Sequence, residues 1–564
     1  LFIPATVDET RALGWDRLDV IIVSGDAYVD SPFIGASVIG HILMSRGYRV
    51  GIIPQPDLSD ERDILRFGEP LLFWGVTSGS IDSMISNYTA SGKRRKMDDL
   101  TPGGVNDRRP DRALIAYCNH IRRYCKETAP IVIGGIEASL RRIAHYDAWD
   151  NAVRRSVLFD SRADILVYGM GELAVTELAR RLRAGEECSS VPGTCHIEKN
   201  PPPDCLHLPS FEDVRGNPDA FIEMFAAFYK NCGAHDAQRM CQKHGDRFLV
   251  HNPPMRPLAA RELDEVYALP YELMPHPIHE NEGKIRATDT INFSITTHRG
   301  CYGECSFCAI AVHQGRSVVS RSEDSIIEEA KRMTAHPGFR GVIQDVGGPT
   351  ANMYMSSCGK SPSGVHCAAK SCLHPSPCKN LSYGHAAQIS LLCRLRELPG
   401  VKKVFVNSGV RHDLVLADKD YGRPYLEELV RHHVSGQMKL APEHSVGRIL
   451  ALMKKPPAES LVRFKRLFDS LNAKLGKKQF LTYYFIAAHP GCDESDMLSL
   501  KKFIDKNLRI KPEQVQIFTP SPSTHSTAMY YAEKDPEGGK PLFVEKNTGK
   551  KIRQKSAITR GSRN

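Results

Sequence analysis

The sequence predicts an α/β protein: an N-terminal Rossmann-like domain built on a parallel sheet, then a (β/α)6 partial barrel. Three observations carry this expectation. Short apolar, β-branched runs recur along the chain and end at glycine or polar turns. Between them lie stretches whose apolar residues fall at helical spacing. The alternation fades near residue 191 and resumes near residue 290, which makes two series rather than one.

In the first series, DVIIVS at 19–24 ends at Gly25, and 35–46 places Val38, Ile39, Ile42 and Leu43 on one helical face. YRVGII at 48–53 follows as a second strand, with further strands expected at 71–76, 130–134 and 164–168. Strands alternating with helices imply a parallel sheet covered on both faces. Ligands of such sheets bind at the carboxyl ends of the strands. That singles out the loop 25–35, the Gly134-Gly135 turn and the turn Gly169-Met170-Gly171-Glu172. Glu137 and Arg141, four residues apart in GGIEASLRR, read as an ion pair on a helix surface. Residues 1–190 form this domain. The segment 191–285 opens with VPGTCHIEKNPPPDCLHLP and reads as a connecting subdomain with one helix at 217–230.

The second series gives strands at 291–296, 341–346, 403–407, 437–440, 481–487 and 514–519, with helices at 324–335, 425–433, 460–471 and 494–506. Six repeated units over 286–530 suit a partial barrel, whose chemistry sits on the loops after the strands. The tail 531–564 carries Lys546, Lys550, Lys551, Arg553, Lys555, Arg560 and Arg563 and few apolar residues. It is expected to be disordered and available for nucleic-acid contact.

Composition narrows the class. The net charge is +10, and 41% hydrophobic with 25% charged residues is the balance of a globular protein with a large core. No apolar run approaches the ~18 residues of a membrane span. No basic start followed by an apolar block marks the N-terminus for export. Sixteen cysteines in such a chain point to a reducing, cytoplasmic setting and to metal binding rather than disulfides. Eight of them fall between Cys301 and Cys393. Cys118, Cys125, Cys188, Cys195, Cys205, Cys232 and Cys241 show no ligand spacing and read as ordinary thiols.

After the first strand of the second series comes RGCYGECSFCAIAVHQGR, with Cys301, Cys305 and Cys308 in a Cys-x3-Cys-x2-Cys pattern. Three thiolates on one loop hold three irons of a cubane and leave the fourth open. Phe307 is placed to shield one face, and Gly300 and Gly303 let the backbone wrap closely. The pattern resembles the radical S-adenosylmethionine (radical SAM) superfamily. The resemblance implies a 4Fe-4S cluster and S-adenosylmethionine, cleaved reductively to a 5′-deoxyadenosyl radical. It implies cofactor contacts from the later loops: Gly347 and Gly348 in DVGGPT, then Asn407, Ser408 and Arg411, then Glu443 with His444, then His489. Pro349 stands where the superfamily often has an acidic residue. A second set, Cys358, Cys367, Cys372 and Cys378, lies in an insert at 356–380 too poor in apolar residues to fold by burial. It suits an auxiliary 4Fe-4S cluster or a zinc ion, with His366 and His374 as alternative ligands.

GDAYVDSPFIGASVIG, GGIEASLRRIAHYD, DVGGPTANMY, SGVRHDL, KLAPEH, YYFIAAHPG and TPSPSTHSTAMYY, with the Cys301 loop, resemble the YgiQ family of radical SAM proteins. The resemblance implies an enzyme served by an electron donor such as a flavodoxin or ferredoxin, and it names no substrate and no catalytic side chain. The N-terminal sheet resembles cobalamin-binding-like domains. Asp30 and Gly35 stand too far apart for the usual Asp-x-His-x-x-Gly loop, and no histidine lies between them, so a His-ligated cobalamin is disfavoured. The competing expectation is a metal-stabilised nucleic-acid-binding or RNA-modifying protein. The modest basic excess and the lack of an aromatic RNA-binding motif weigh against pure binding.

Overall fold

The computed structural model describes residues 1–233, 237–360 and 371–559. It is an α/β fold with a large, mostly parallel sheet, and the chain divides into two units. The first comprises 1–258 and 265–292, the second 259–264 and 293–564. Among the described residues no helix is long and apolar enough to cross a membrane.

The strands of the first unit are β1 (Val20–Ser24), β2 (Val50–Pro54), β3 (Phe73–Thr77), β4 (Ile131–Gly134), β5 (Ile165–Val167), β6 (Thr194–Glu198), β7 (Leu206–Leu208), β8 (Met240–His244) and β9 (Arg247–His251). They form one sheet in the order β7-β8-β9-β6-β5-β4-β3-β1-β2. From β2 to β5 every pairing is parallel. In register, Val20 lies between Val50 and Phe73. β1 and β2 are buried along their whole length, as continuous apolar runs require when helices cover both faces. Helix α1 (Gly35–Ser45) contributes Leu43 to the core, and α2 (Glu172–Ala184) contributes Ala174, Leu178 and Ala179. The strand order reverses between β1 and β3, where parallel sheets open a crevice at their carboxyl edge.

The segment 191–285 is no separate connector. Its strands β6, β8 and β9 continue the sheet antiparallel, beginning with Leu166 of β5 opposite Cys195, and β7 closes the edge alongside β8. These strands carry histidines and charges between apolar residues, so they lack the uninterrupted run that marks β1. Gly245, at positive φ, makes the tight turn of the β8–β9 hairpin. The expected helix at 217–230 is present as Pro218–Lys230, with Asn217 accepting from the Asp219 and Ala220 amides. Cys205 and Cys241, read as separate thiols, are joined as a disulfide beside the β7–β8 pairing.

In the second unit β10 (Ser294–Thr296) runs parallel to β12 (Asp345–Gly347), and β11 (Val342–Ile343) to β13 (Lys403–Val404). β14 (Gln437–Glu443), β15 (Phe480–Ala487) and β16 (Gln514–Ile517) form a further parallel ladder. The amide of Val410 donates to the Lys439 carbonyl (3.2 Å), linking the loop after β13 to β14. Residues 288–291, the approach to β10, form a helical turn, so that strand starts at Ser294. The tail is ordered as far as the description reaches. Helix α3 (Thr548–Thr559) buries Lys551, Gln554 and Ile558 on one face. The Lys551 ammonium donates to the Tyr530 hydroxyl (2.8 Å), so a residue counted as solvated charge is turned inward.

Candidate functional site

The loops that follow the parallel strands of the second unit carry the sequence-predicted residues. Gly300 takes φ +80°, and a Cβ there would strike the Ser317 carbonyl, so only glycine starts this loop. Cys301 donates its amide to the Gly315 carbonyl (3.2 Å), Cys308 to the Cys305 carbonyl (3.0 Å), and Ser306 to the Met453 carbonyl (3.2 Å). All three cysteines are half-buried and free. Burial, then the neighbouring thiols of Cys305 and Cys301, push the Cys308 thiol up to about 12. Burial raises Cys301 as well. Metal binding here must therefore displace protons.

The donor set fits a thiolate-held cluster. The Gly303 amide points at Cys301 Sγ (3.4 Å), the Thr350 hydroxyl lies 3.5 Å from the same sulfur, and Arg411 Nη1 lies 3.9 Å from Cys305 Sγ. N–H and O–H groups aimed at sulfur are what stabilise cluster thiolates. Among the described residues no three His, Cys, Asp or Glu side chains converge on a single ion. A cubane's thiolates bind separate irons and need no such convergence.

The remaining predicted residues sit on these loops, but most are committed to protein partners. Asp345 accepts from the amides of Asn407 (2.7 Å) and Ser408 (3.1 Å) and from the Ser408 hydroxyl. The Asn407 side chain donates to the Gln344 carbonyl (2.6 Å). Arg411 spends Nε (3.0 Å) and Nη2 (2.6 Å) on Asp413, so its fork is filled and only Nη1 reaches Cys305. Gly348 is a close-approach position: a Cβ would lie 2.6 Å from the His298 ring and 2.8 Å from its carbonyl. Gly347 is less tight, with Ser408 at 3.2 Å. Glu443, at φ +67°, is buried, and burial raises its carboxyl pKa although Lys455 stands 3.8 Å away.

His489 is fully buried, and burial lowers its pKa to about 4. Its Nδ1 faces the Pro490 carbonyl (2.8 Å), so Nδ1 carries the proton and Nε2 accepts from the Ser526 hydroxyl (2.7 Å). Ser526 in turn accepts from Ser306 (2.8 Å), which lies between two of the cysteines. The chain Ser306–Ser526–His489 ties the cysteine loop to the loops after β15 and β16. Phe307 meets the His489 ring edge-on at 6.4 Å.

Sequence reasoning missed Asp345, Thr350, Asp413, Lys455 and Ser526. Asp345 and Asp413 had a signal, since each ends an apolar run or flanks an arginine on a motif loop. Lys455 had none. Of the second cysteine set, Cys358, Cys372 and Cys378 are half-buried, whereas Cys367 and His366 lie outside the described residues. His374 faces Lys454 and Glu537, and burial lowers its pKa.

At the carboxyl edge of the first unit's sheet lie two buried charge clusters. Arg109 is 1% exposed, pairs with Asp26 (2.8 Å) and Asp98 (3.0 Å), and donates to the Ser78 carbonyl. Gly25 is required beside it, because a Cβ would collide with that same carbonyl. Glu137 and Arg141 are not the expected surface pair. Both are buried: Arg141 binds Asp82, and Glu137 accepts from the Ser83 (2.9 Å) and Leu114 (3.4 Å) amides. The Asp30 carboxylate is likewise spent on Ser37, on His41 (2.8 Å) and on the Glu272 amide (2.9 Å).

A family model described as Radical SAM N-terminal matches residues 2–294. A UPF0313 protein of Fusobacterium nucleatum is 50% identical over 564 residues, covering 100% of this chain and 99% of the relative. Another, from Thermotoga maritima, is 48% identical, covering 98% and 97%. Among solved structures, the radical S-adenosylmethionine methyltransferase TsrM of Kitasatospora setae with cobalamin and a [4Fe-4S] cluster aligns at TM-score 0.50 and 14% identity, covering 90% of this chain and 76% of that one. The cobalamin-dependent S-adenosylmethionine radical enzyme OxsB with aqua-cobalamin aligns at 0.52 and 12%, covering 93% of this chain and 57% of that one. These structural likenesses bear on fold alone. Identity near one half along the whole chain bears on descent: the protein belongs to the UPF0313 family of radical SAM proteins, the YgiQ-type family its motifs resemble.

Proposed function

We propose that this radical SAM enzyme holds its 4Fe-4S cluster on Cys301, Cys305 and Cys308, at the mouth of a partial (β/α)6 barrel formed by the second unit. One observation carries the assignment: the three cysteines share a loop at the carboxyl end of β10, and groups on neighbouring strand-end loops aim N–H or O–H at their sulfurs. When bound, the cluster and S-adenosylmethionine supply the electron and the carbon–sulfur cleavage that yield a hydrogen-abstracting 5′-deoxyadenosyl radical.

The chain's own residues orient and enclose. Gly347 and Gly348 let Ser408 and His298 pack where a Cβ would stand, which holds this loop, with Thr350, against Cys301. Asn407 and Ser408 act by fixing their loop on Asp345. Arg411 and Lys455 set positive charge beside Cys305 and Cys308. Glu443 and His489, buried at the strand ends, exclude water there.

The solved neighbours carry cobalamin. In this chain Arg109 pairs with Asp26 and Asp98 at the carboxyl edge of β1 and β3, and no histidine lies between Asp30 and Gly35, which supports an N-terminal unit that binds no cobalamin through a histidine ligand. An oxygen-labile cluster suits a reducing cytoplasm, with a low-potential flavodoxin or ferredoxin as electron donor.

The test is anaerobic reconstitution with iron and sulfide. The wild-type protein with a strong reductant should release 5′-deoxyadenosine from S-adenosylmethionine, and Cys305→Ala should not. A wild-type preparation with a full cubane and no 5′-deoxyadenosine would sink the reading.

A further inference from the structure

The described residues around Cys358, Cys372 and Cys378 bury little apolar surface. Between residues 371 and 381 only Leu373 is buried. Yet the ends of this stretch are brought together. Ser357–Cys358 pairs antiparallel with Leu381–Ser382, and Cys358 stands opposite Leu381. The Gly359 amide donates to the Asn380 carbonyl (2.8 Å), and the Leu381 amide to the Cys378 carbonyl (3.0 Å). Cys378 is thus one tight turn from the residue facing Cys358. Its amide donates to the Cys372 carbonyl (2.8 Å), which holds the third cysteine to the same turn. The Asn380 amide nitrogen lies 3.9 Å from Cys378 Sγ, again an N–H aimed at sulfur.

The position matters as much as the number of thiols. Leu373 sits in a small core cluster with Tyr302, Met353 and Leu414, and Cys301, Cys372 and Leu381 pack against the same cluster. One apolar layer therefore separates this cysteine set from the loop of Cys301. Backbone pairing brings the segments of three half-buried cysteines together on a polar loop, where a metal centre can supply the folding energy that a little apolar burial does not. An all-thiolate donor set is soft and suits iron–sulfur clusters or zinc.

We propose that Cys358, Cys372 and Cys378 hold a second iron–sulfur cluster, beside and independent of the one on Cys301, Cys305 and Cys308. The full chain tests it after anaerobic loading with ferrous iron and sulfide in the presence of zinc. Wild type should take up about eight irons, two cubanes of four. The triple variant Cys301→Ser, Cys305→Ser, Cys308→Ser should keep about four, and the variant Cys358→Ser, Cys372→Ser, Cys378→Ser should keep the other four. If the first variant binds no iron, or one zinc instead, the proposal is overturned. Reduced wild type gives a readout that needs no variant to fold. Its electron paramagnetic resonance should show two cluster signals, and a single signal overturns the proposal. Failure of S-adenosylmethionine cleavage by wild type would count against the first site alone.

Discussion

Replacing Arg411 by leucine removes one half of a buried ion pair. The Arg411 and Asp413 side chains are 10% and 11% exposed and meet at 2.6 Å. Burial by itself would raise the Asp413 carboxyl, but the Arg411 guanidinium more than offsets it and leaves the group well below the usual carboxylate range. Without the arginine, Asp413 is a buried charge that has lost its ion-pair partner, with only the weaker pull of His412 and Lys455 left, which costs about 3–5 kcal/mol. Removing both charges, as Arg411→Leu with Asp413→Leu, leaves nothing uncompensated and should cost far less. The pH dependence has a definite sign. In wild type the depressed Asp413 contributes stability above its unfolded pKa of about 3.9 and loses it as pH falls through its folded value. In Arg411→Leu, burial raises Asp413, so mild acid neutralises it and the penalty shrinks. Urea unfolding of the metal-free chain reads this directly. Trp15, Trp74 and Trp149 all lie in the first unit, so tryptophan fluorescence follows that unit alone, while circular dichroism also follows the second. The shift should appear only in the dichroism. A loss below about 1 kcal/mol, or a double variant as unstable as the single one, would refute the argument.

Gly348→Ala must push against the His298 ring and carbonyl, and should cost about 1–3 kcal/mol in the second unit's transition; a variant as stable as wild type would show that the contact yields. Gln554→Ala leaves the Ala488 amide without the side-chain oxygen it donates to at 2.9 Å, a loss of about 1–3 kcal/mol in the same assay, and an unchanged midpoint would mean that α3 does not brace the His489 loop. Burial holds His145, His298, His412 and His489 at about 4, and His244, His251 and His444 at about 3. The fold needs these rings neutral. Their contribution is therefore complete above the unfolded value of about 6.5 and is lost as pH falls from there towards 3. The urea midpoint should drop across that window, and a flat profile would contradict the burial of these rings.

What was legible in the sequence follows from what makes each feature local. β1 and β2 are read from DVIIVS and YRVGII because a strand covered on both faces must be apolar almost throughout. The cysteine loop is read because its ligands are neighbours in sequence. The strands β6 to β9 were missed because one partner of each lies in an unrelated segment, and pairing, not composition, makes Thr194–Glu198 a strand. The tail misled for a similar reason. Lys551 reads as solvated charge until Tyr530, 21 residues earlier, offers it a buried hydroxyl. Glu137 and Arg141 have the spacing of a surface pair, but their partners are Ser83, Leu114 and Asp82, from a distant segment.

The same locality explains the division of labour at the site. Asn407, Ser408, Arg411 and His489 lie on the right loops, yet most of their hydrogen-bonding groups are taken up by Asp345, Gln344, Asp413, Pro490 or Ser526, with Arg411 Nη1 left to Cys305. A buried polar group that already has partners gains little by exchanging them for a ligand, since one bond is lost for each one made. On the proposed assignment, what these loops offer a ligand is the half-buried backbone at Gly348 and the position of the cysteine loop. Ser306 makes that position depend on three strand ends at once, through Ser526 and His489. With the cluster placed on these cysteines as proposed, loosening any one of them should shift the cluster, so that Ser526 and His489 would set where the chemistry happens without touching a ligand.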